Sequence, residues 1–219
     1  MYEALMGVLK QIPKRMYVKW GVFLVLIYAL YDLVYIRADA KRLMLDTPVY
    51  NSGLLPMIIM NIDIPLLIGV SLLCIIFDGR GVLSSLAVKT RQQLLWLLFG
   101  AVVFVVAVWL VKPETTRDVY QIIHCLLVAA FIEELAFRSL LFTWFEEAHM
   151  GKYAYLLSGI FWGGHYAIRS IVLGGYSVFG AVLPMVLFGA IVGTLAAIIY
   201  KKSDSVWLLV YLHAALSLL

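Results

Sequence analysis

Charge is what this sequence has least of. Aspartate, glutamate, lysine and arginine make up 14% of its 219 residues, against 64% hydrophobic, a balance that excludes an ordinary water-soluble domain. No polar stretch is long enough to build a separate aqueous core, so residues 1–219 are read as one membrane domain. Cysteine is scarce as well. Cys74 and Cys125 each stand alone in an apolar run, which gives no disulfide framework and no CxxC metal site and leaves two small packing residues. HExxH is missing, and no two histidines lie four apart on one helix, so the usual helical zinc motif is absent. Basic residues do not alternate with aromatic ones as on nucleic-acid surfaces; the net charge of +4 is assigned to membrane topology, with no nucleic-acid partner. There is no internal repeat, low-complexity tract or flexible linker. No small-residue cleavage site follows the first apolar run, so that run is expected to be a retained anchor.

What is present is a succession of apolar segments. A helix needs about 20 apolar residues to cross a hydrocarbon core of about 30 Å. Seven segments qualify, near 17–36, 54–77, 93–111, 119–145, 153–172, 176–200 and 204–219, and together they predict an all-α, polytopic membrane bundle of about seven transmembrane helices. The second is the least regular: Pro56, Asp63 and Pro65 interrupt its first half and point to a kink or a short re-entrant piece. With the N-terminus placed in the cytoplasm, ten of the seventeen lysines and arginines fall on the cytoplasmic side, six on the other, and Arg138 lies mid-span. That bias orients the N-terminus inward.

The stretch AFIEELAFRSLLF, residues 130–142, sets two glutamates and an arginine inside an apolar run. A charge at the bilayer centre costs at least about 2.5–3.5 kcal/mol on insertion scales, so three together need a reason. Glu134 and Arg138 are four apart, share a helix face and can pair, while Glu133 points about 100° round the helix toward something else. A carboxylate poised between a dry environment and a nearby cation suits a general base; the competing assignment is a structural ion pair plus one glutamate bonded to a neighbouring helix. His165, in GIFWGGHYAIR, and His213, in VYLHAALSLL, fall in the middle or late part of two further spans. Gly163 and Gly164 strip bulk beside His165, either for a substrate backbone or for helix packing, which Gly189 and Gly193 are expected to provide. Asp32 and Asp63 are single acids that either line a cavity or serve structure. His124 falls on the face opposite Glu133 and is left out, and His149 belongs to a loop.

EELAFR (Glu133, Glu134, Arg138), FWGGH (Phe161 to His165) and the late His213 resemble, in order, the motifs of the CPBP family, the CAAX-protease and bacteriocin-processing (Abi) membrane proteins. The resemblance covers about residues 118–219. It implies an intramembrane glutamate-dependent endopeptidase of a bacterial cytoplasmic membrane, acting on a peptide or membrane-protein substrate within the lipid bilayer, without cofactor or metal. It also implies roles: Glu133 takes a proton from a water that His165 orients, His213 with Ser217 or a replacement donor binds the oxyanion, and Glu134, Arg138 and Phe161 hold the site. The chain departs from the pattern at Ser217, where the family has asparagine. A noncatalytic binding or immunity protein with the same fold, and a proton-coupled transporter built on the buried Glu, His and Arg, are the alternatives. Glutamate with two histidines could also ligate zinc, though no metal is the favoured reading. Oligomeric state is not legible.

Overall fold

The computed structural model describes residues 6–7, 12–45, 63–174 and 177–219. Within them the chain forms seven helices and no strand: α1 (Lys14–Leu45), α2 (Asp63–Leu86), α3 (Arg91–Val111), α4 (116–147), α5 (Lys152–Gly174), α6 (178–203) and α7 (Val206–Leu218). Their number and order match the hydropathy pattern. Leu67–Leu86, Arg91–Val111 and Val182–Ser203 are long and apolar enough to cross a membrane by length and composition, and Val206–Leu218 is apolar but shorter.

Local chemistry sets the ends. Thr90 caps α3 in a reciprocal box: its hydroxyl accepts from the Gln93 amide at 3.1 Å, and the Gln93 side-chain oxygen accepts from the Thr90 amide at 3.1 Å. Thr115 and Asp118 repeat the device at the start of α4. Backbone and side-chain hydrogen bonds from Thr115 hold the exposed Asp118 carboxyl below its ordinary range, so this cap persists until the solution is more acidic than a free aspartate would require. Helices α3 and α6 stop where Lys112 and Asp204 turn left-handed.

One boundary differs from the sequence reading. The described part of the second helix runs Asp63–Leu86, past the expected end near 77; Pro56 lies outside the described residues, as do the side chains of Asp32 and Asp63. A break in the helix falls at Asp78, whose backbone is extended (φ −160°, ψ 72°). Asp78 acts as an internal cap: its carboxylate accepts from the Gly81 amide at 3.1 Å and from the Trp144 indole at 3.4 Å. An aspartate can break and restart a helix without a proline.

Helix α4 is the axis of the bundle. From Ile132 to Phe142 every side chain is buried, whereas α1, α3 and α6 keep exposed apolar stripes such as Val18, Val22 and Val25, or Leu183, Leu187 and Ile191. An all-round buried helix inside helices that present apolar faces outward is the arrangement lipid favours. Around α4 stand α2, α5 and α7, with α3 packed on α7 and α6 on α5. One end of the bundle gathers the start of α1, the α2–α3, α4–α5 and α6–α7 connections, and the contacts between them: Gln93 to the Asp204 carbonyl at 2.6 Å, Trp207 to the Leu86 carbonyl at 2.8 Å, and Lys201 to Glu146 at 2.9 Å.

The α5–α6 contact is made by backbone. A Cβ on Gly163 would strike the Met185 carbonyl, and one on Gly189 would strike the backbone of Gly163. Gly159 and Gly193 meet in the same way one turn on. The glycines on both helices therefore form one small-residue seam, and the alternative of substrate approach at Gly163 is closed. We expect Gly163→Leu to lower the thermal midpoint in detergent sharply, overpacking here costing about 1–3 kcal/mol or more. Gly69→Ala, where nothing lies within 4 Å, is expected to leave that midpoint unchanged or slightly raised.

Candidate functional site

Helix α4 carries Glu133 and Glu134 on a two-residue α-helical step between two stretches of wider, π-helical geometry, Cys125–Ile132 and Leu135–Phe142. Such widening is rare and recurs at functional sites, where it re-aims side chains that a regular helix would place elsewhere. The two glutamates point to different neighbours, as their spacing requires.

Glu134 is the centre of the charge pairing. Its Oε2 lies 3.4 Å from Arg138 Nε, one turn on, and its Oε1 lies 2.9 Å from Nδ1 of His213 on α7. Arg138 is fully buried; its Nη1 donates to the Ser158 hydroxyl at 2.9 Å, and that hydroxyl donates to the Phe137 carbonyl at 3.0 Å. The guanidinium also lies over the Trp162 ring, 5.4 Å from its centroid.

Glu133 faces α5. Trp162 Nε1 donates to its Oε2 at 2.7 Å, and the Tyr166 hydroxyl reaches Oε2 at 3.0 Å and Oε1 at 3.3 Å. His165 Nε2 stands 3.6 Å from Oε1, and His213 Nε2 stands 3.9 Å from Oε2. Both imidazole distances exceed a direct hydrogen bond. His213 therefore spans the two carboxylates, Nδ1 to one and Nε2 toward the other. Glu133 is 1% exposed and His165 0%. Two carboxylates face one guanidinium, so one further proton among Glu133, His165 and His213 would neutralise the set. Among the described residues no group of three or more His, Cys, Asp or Glu side chains is disposed to hold a metal ion.

A cavity of about 420 Å³ opens beside the site, walled by α6 and α7. Glu134, Arg138, Trp162, Tyr166 and His213 supply its polar edge, and Phe188, Val192, Leu195, Leu209, Leu212 and Leu216 its apolar walls. Ser217 also borders it, but as an exposed residue one turn past His213 on α7, and its backbone carbonyl takes the Cys125 thiol at 3.9 Å. Phe161 lies apart from the carboxylates: its ring packs on Phe145, centroids 5.9 Å apart, and its carbonyl accepts the Tyr28 hydroxyl at 2.6 Å, which ties α5 to α1. Tyr28 then stacks on the His165 ring at 6.3 Å. The sequence reading passed over Trp162, Tyr166, Ser158 and Tyr28. Three of these had a signal, since positions 158, 162, 165 and 166 share one face of α5; Tyr28, distant in sequence, had none.

Comparison with known families places this arrangement. The model described as Rce1-like, type II CAAX prenyl endopeptidase Rce1-like, matches residues 115–219, the segment that carries every residue of the site except Tyr28. Over those residues the chain matches the CPBP, or CAAX-protease, family of integral membrane proteins, a family of intramembrane proteases acting on peptide or protein substrates. Comparison with the curated proteins and with the solved structures gives no match.

The pairing divides labour between the glutamates in folding. Glu134→Ala strands the buried Arg138 and is expected to cost about 3–5 kcal/mol, seen as a large fall in folded yield and thermal midpoint. Replacing both partners, Glu134→Leu with Arg138→Met, should cost less than the sum of the two single changes. Glu133→Ala also carries a penalty, about 1–3 kcal/mol, because it leaves the Trp162 and Tyr166 donors unsatisfied. Equal midpoints for Glu134→Ala and the unmodified protein would contradict the pairing.

Proposed function

We propose that the protein is an intramembrane endopeptidase that hydrolyses a peptide bond with water activated by Glu133. The observation that carries this reading is the convergence of two imidazoles on Glu133, at 3.6 and 3.9 Å, next to Trp162, Tyr166 and His213, which line an apolar cavity. Glu133 removes the proton from water held between it and His165. The water oxygen attacks the carbonyl carbon of a substrate segment lying in the α6–α7 cavity. His213, fixed through Nδ1 by Glu134, presents Nε2 to the reacting carbonyl. When the intermediate collapses, Glu133 returns the proton to the leaving nitrogen. Arg138, anchored by Glu134 and Ser158, keeps the charge set in place without touching substrate.

The substrate fits the cavity through an apolar or lipid-modified segment adjacent to the scissile bond, since apolar side chains make up most of the wall. The excess of lysine and arginine at the end of the bundle holding the α2–α3 and α6–α7 connections supports a cytoplasmic N-terminus. Ser217 favours one competing reading, a noncatalytic binding protein of the same fold, because serine is the departure from the family pattern.

Glu133→Gln preserves a side-chain oxygen for the Trp162 and Tyr166 donors while removing the base. In protein reconstituted with a prenylated peptide substrate, we expect cleavage to fall by about 10²–10⁴ with the thermal midpoint nearly unchanged. His165→Phe should likewise remove activity and leave folded yield intact. Undiminished cleavage by Glu133→Gln would contradict the proposal. Partner binding that survives in Glu133→Gln, with no cleavage by the unmodified chain, would establish the binding protein instead.

A further inference from the structure

We infer that Tyr166 is a catalytic residue of this chain, its hydroxyl donating to the oxyanion of the tetrahedral intermediate. The inference rests on the proteolytic reading above. Hydrolysis in a dry site needs a donor where negative charge develops on the carbonyl oxygen. Ser217 borders the same cavity one turn past His213, but as an exposed residue whose hydroxyl is shorter than the asparagine amide that the family pattern has there.

Tyr166 stands beside Glu133. It lines the cavity together with His213, and its phenolic oxygen lies 3.0 and 3.3 Å from the two oxygens of Glu133. A carbonyl attacked by water held on Glu133 is thus one hydrogen bond away from this hydroxyl. Trp162 also donates to Glu133, at 2.7 Å, but its N–H is fixed in the plane of an indole packed against Tyr166 and His213. The phenol hydrogen turns about a single C–O bond, so Tyr166 redirects its hydrogen bond without moving its ring.

The step balances. In the resting site Glu133 is a carboxylate and accepts from Tyr166. During attack a water proton passes to Glu133, the water oxygen bonds to the carbonyl carbon, and the carbonyl π pair moves onto oxygen. Negative charge leaves Glu133 and appears on the substrate. The neutral carboxyl is the weaker acceptor, so the Tyr166 hydrogen follows the charge to the oxyanion, and Tyr166 keeps its proton. As the C–N bond breaks, Glu133 gives its proton to the amine and the hydrogen bond returns to the carboxylate.

The test is steady-state cleavage of a quenched-fluorescence prenylated peptide by the full-length reconstituted protein, with Tyr166→Phe, Ser217→Asn and their combination. Tyr166→Phe retains the ring that packs on Trp162 and His165, at centroid distances of 5.0 and 5.4 Å, so the fold is expected to survive. We expect kcat to fall about 10²–10³-fold with KM little changed. Ser217→Asn, which puts the family's donor on the same cavity wall, is expected to recover much of that loss in the Tyr166→Phe background. Retention of kcat in Tyr166→Phe would overturn the inference. So would a loss that Ser217→Asn leaves untouched, since Tyr166 would then serve only to hold Glu133. Should Tyr166→Phe not fold, 3-fluorotyrosine at 166 is a near-isosteric, stronger donor, and an unchanged kcat with it would be equally fatal. Failure of the unmodified chain to cleave would overturn the proteolytic reading itself, whereas cleavage by the unmodified chain that Tyr166→Phe retains would overturn this inference alone.

Discussion

The structure depends on keeping Arg138 charged where no water reaches it. An unpaired guanidinium in a helical bundle core carries a desolvation penalty of several kcal/mol, and only close partners offset it. Glu134 supplies the opposite charge, Ser158 supplies a hydroxyl, and the Trp162 face supplies a third contact. Each partner comes from α4 or α5, so the cation fixes the rotation of those two helices about one another. The glycine seam between α5 and α6 then brings Gly193 beside the guanidinium, where a Cβ would lie 3.3 Å from Nη2. Packing and charge pairing are one constraint here: the seam must be close for the cation to be enclosed, and enclosure makes the pairing strong.

The division between the glutamates follows. Because Glu134 is committed to Arg138 and to one nitrogen of His213, it orients that ring and leaves the other nitrogen directed toward Glu133. Glu133 has neutral donors, Trp162 and Tyr166, where Glu134 has a cation. Adjacent residues of one type thus acquire different chemistry from the helices they face.

Much of this was legible in the sequence, for identifiable reasons. Seven apolar runs specified seven helices because the hydrocarbon core dictates segment length. Glu134 and Arg138 were paired by their spacing alone. Glu133, His165 and His213 stood out because polar groups in such runs are costly. Other features left weaker traces. The break at Asp78 was hidden because aspartate signals a cap only when the backbone around it is known, and the prolines nearby were more conspicuous. The π-helical turns flanking Glu133 depend on tertiary contacts that no local pattern encodes. Trp162 and Tyr166 looked like part of an aromatic packing face, and only the direction of their N–H and O–H groups distinguishes them from it. The family match covers the site and stops short of α1, yet Tyr28 of α1 stacks on His165, so the first helix joins the site through a residue that the motifs do not include.

The central claim is that Glu133 acts on water and forms no bond to the substrate. A single turnover in heavy-oxygen water, followed by mass spectrometry of both the cleaved peptide and the enzyme fragment containing Glu133, tests it most directly. We expect one heavy oxygen in the new carboxylate of the product and none in Glu133. Heavy oxygen in the Glu133 carboxyl, which would arise from hydrolysis of an acyl-enzyme anhydride, would contradict it.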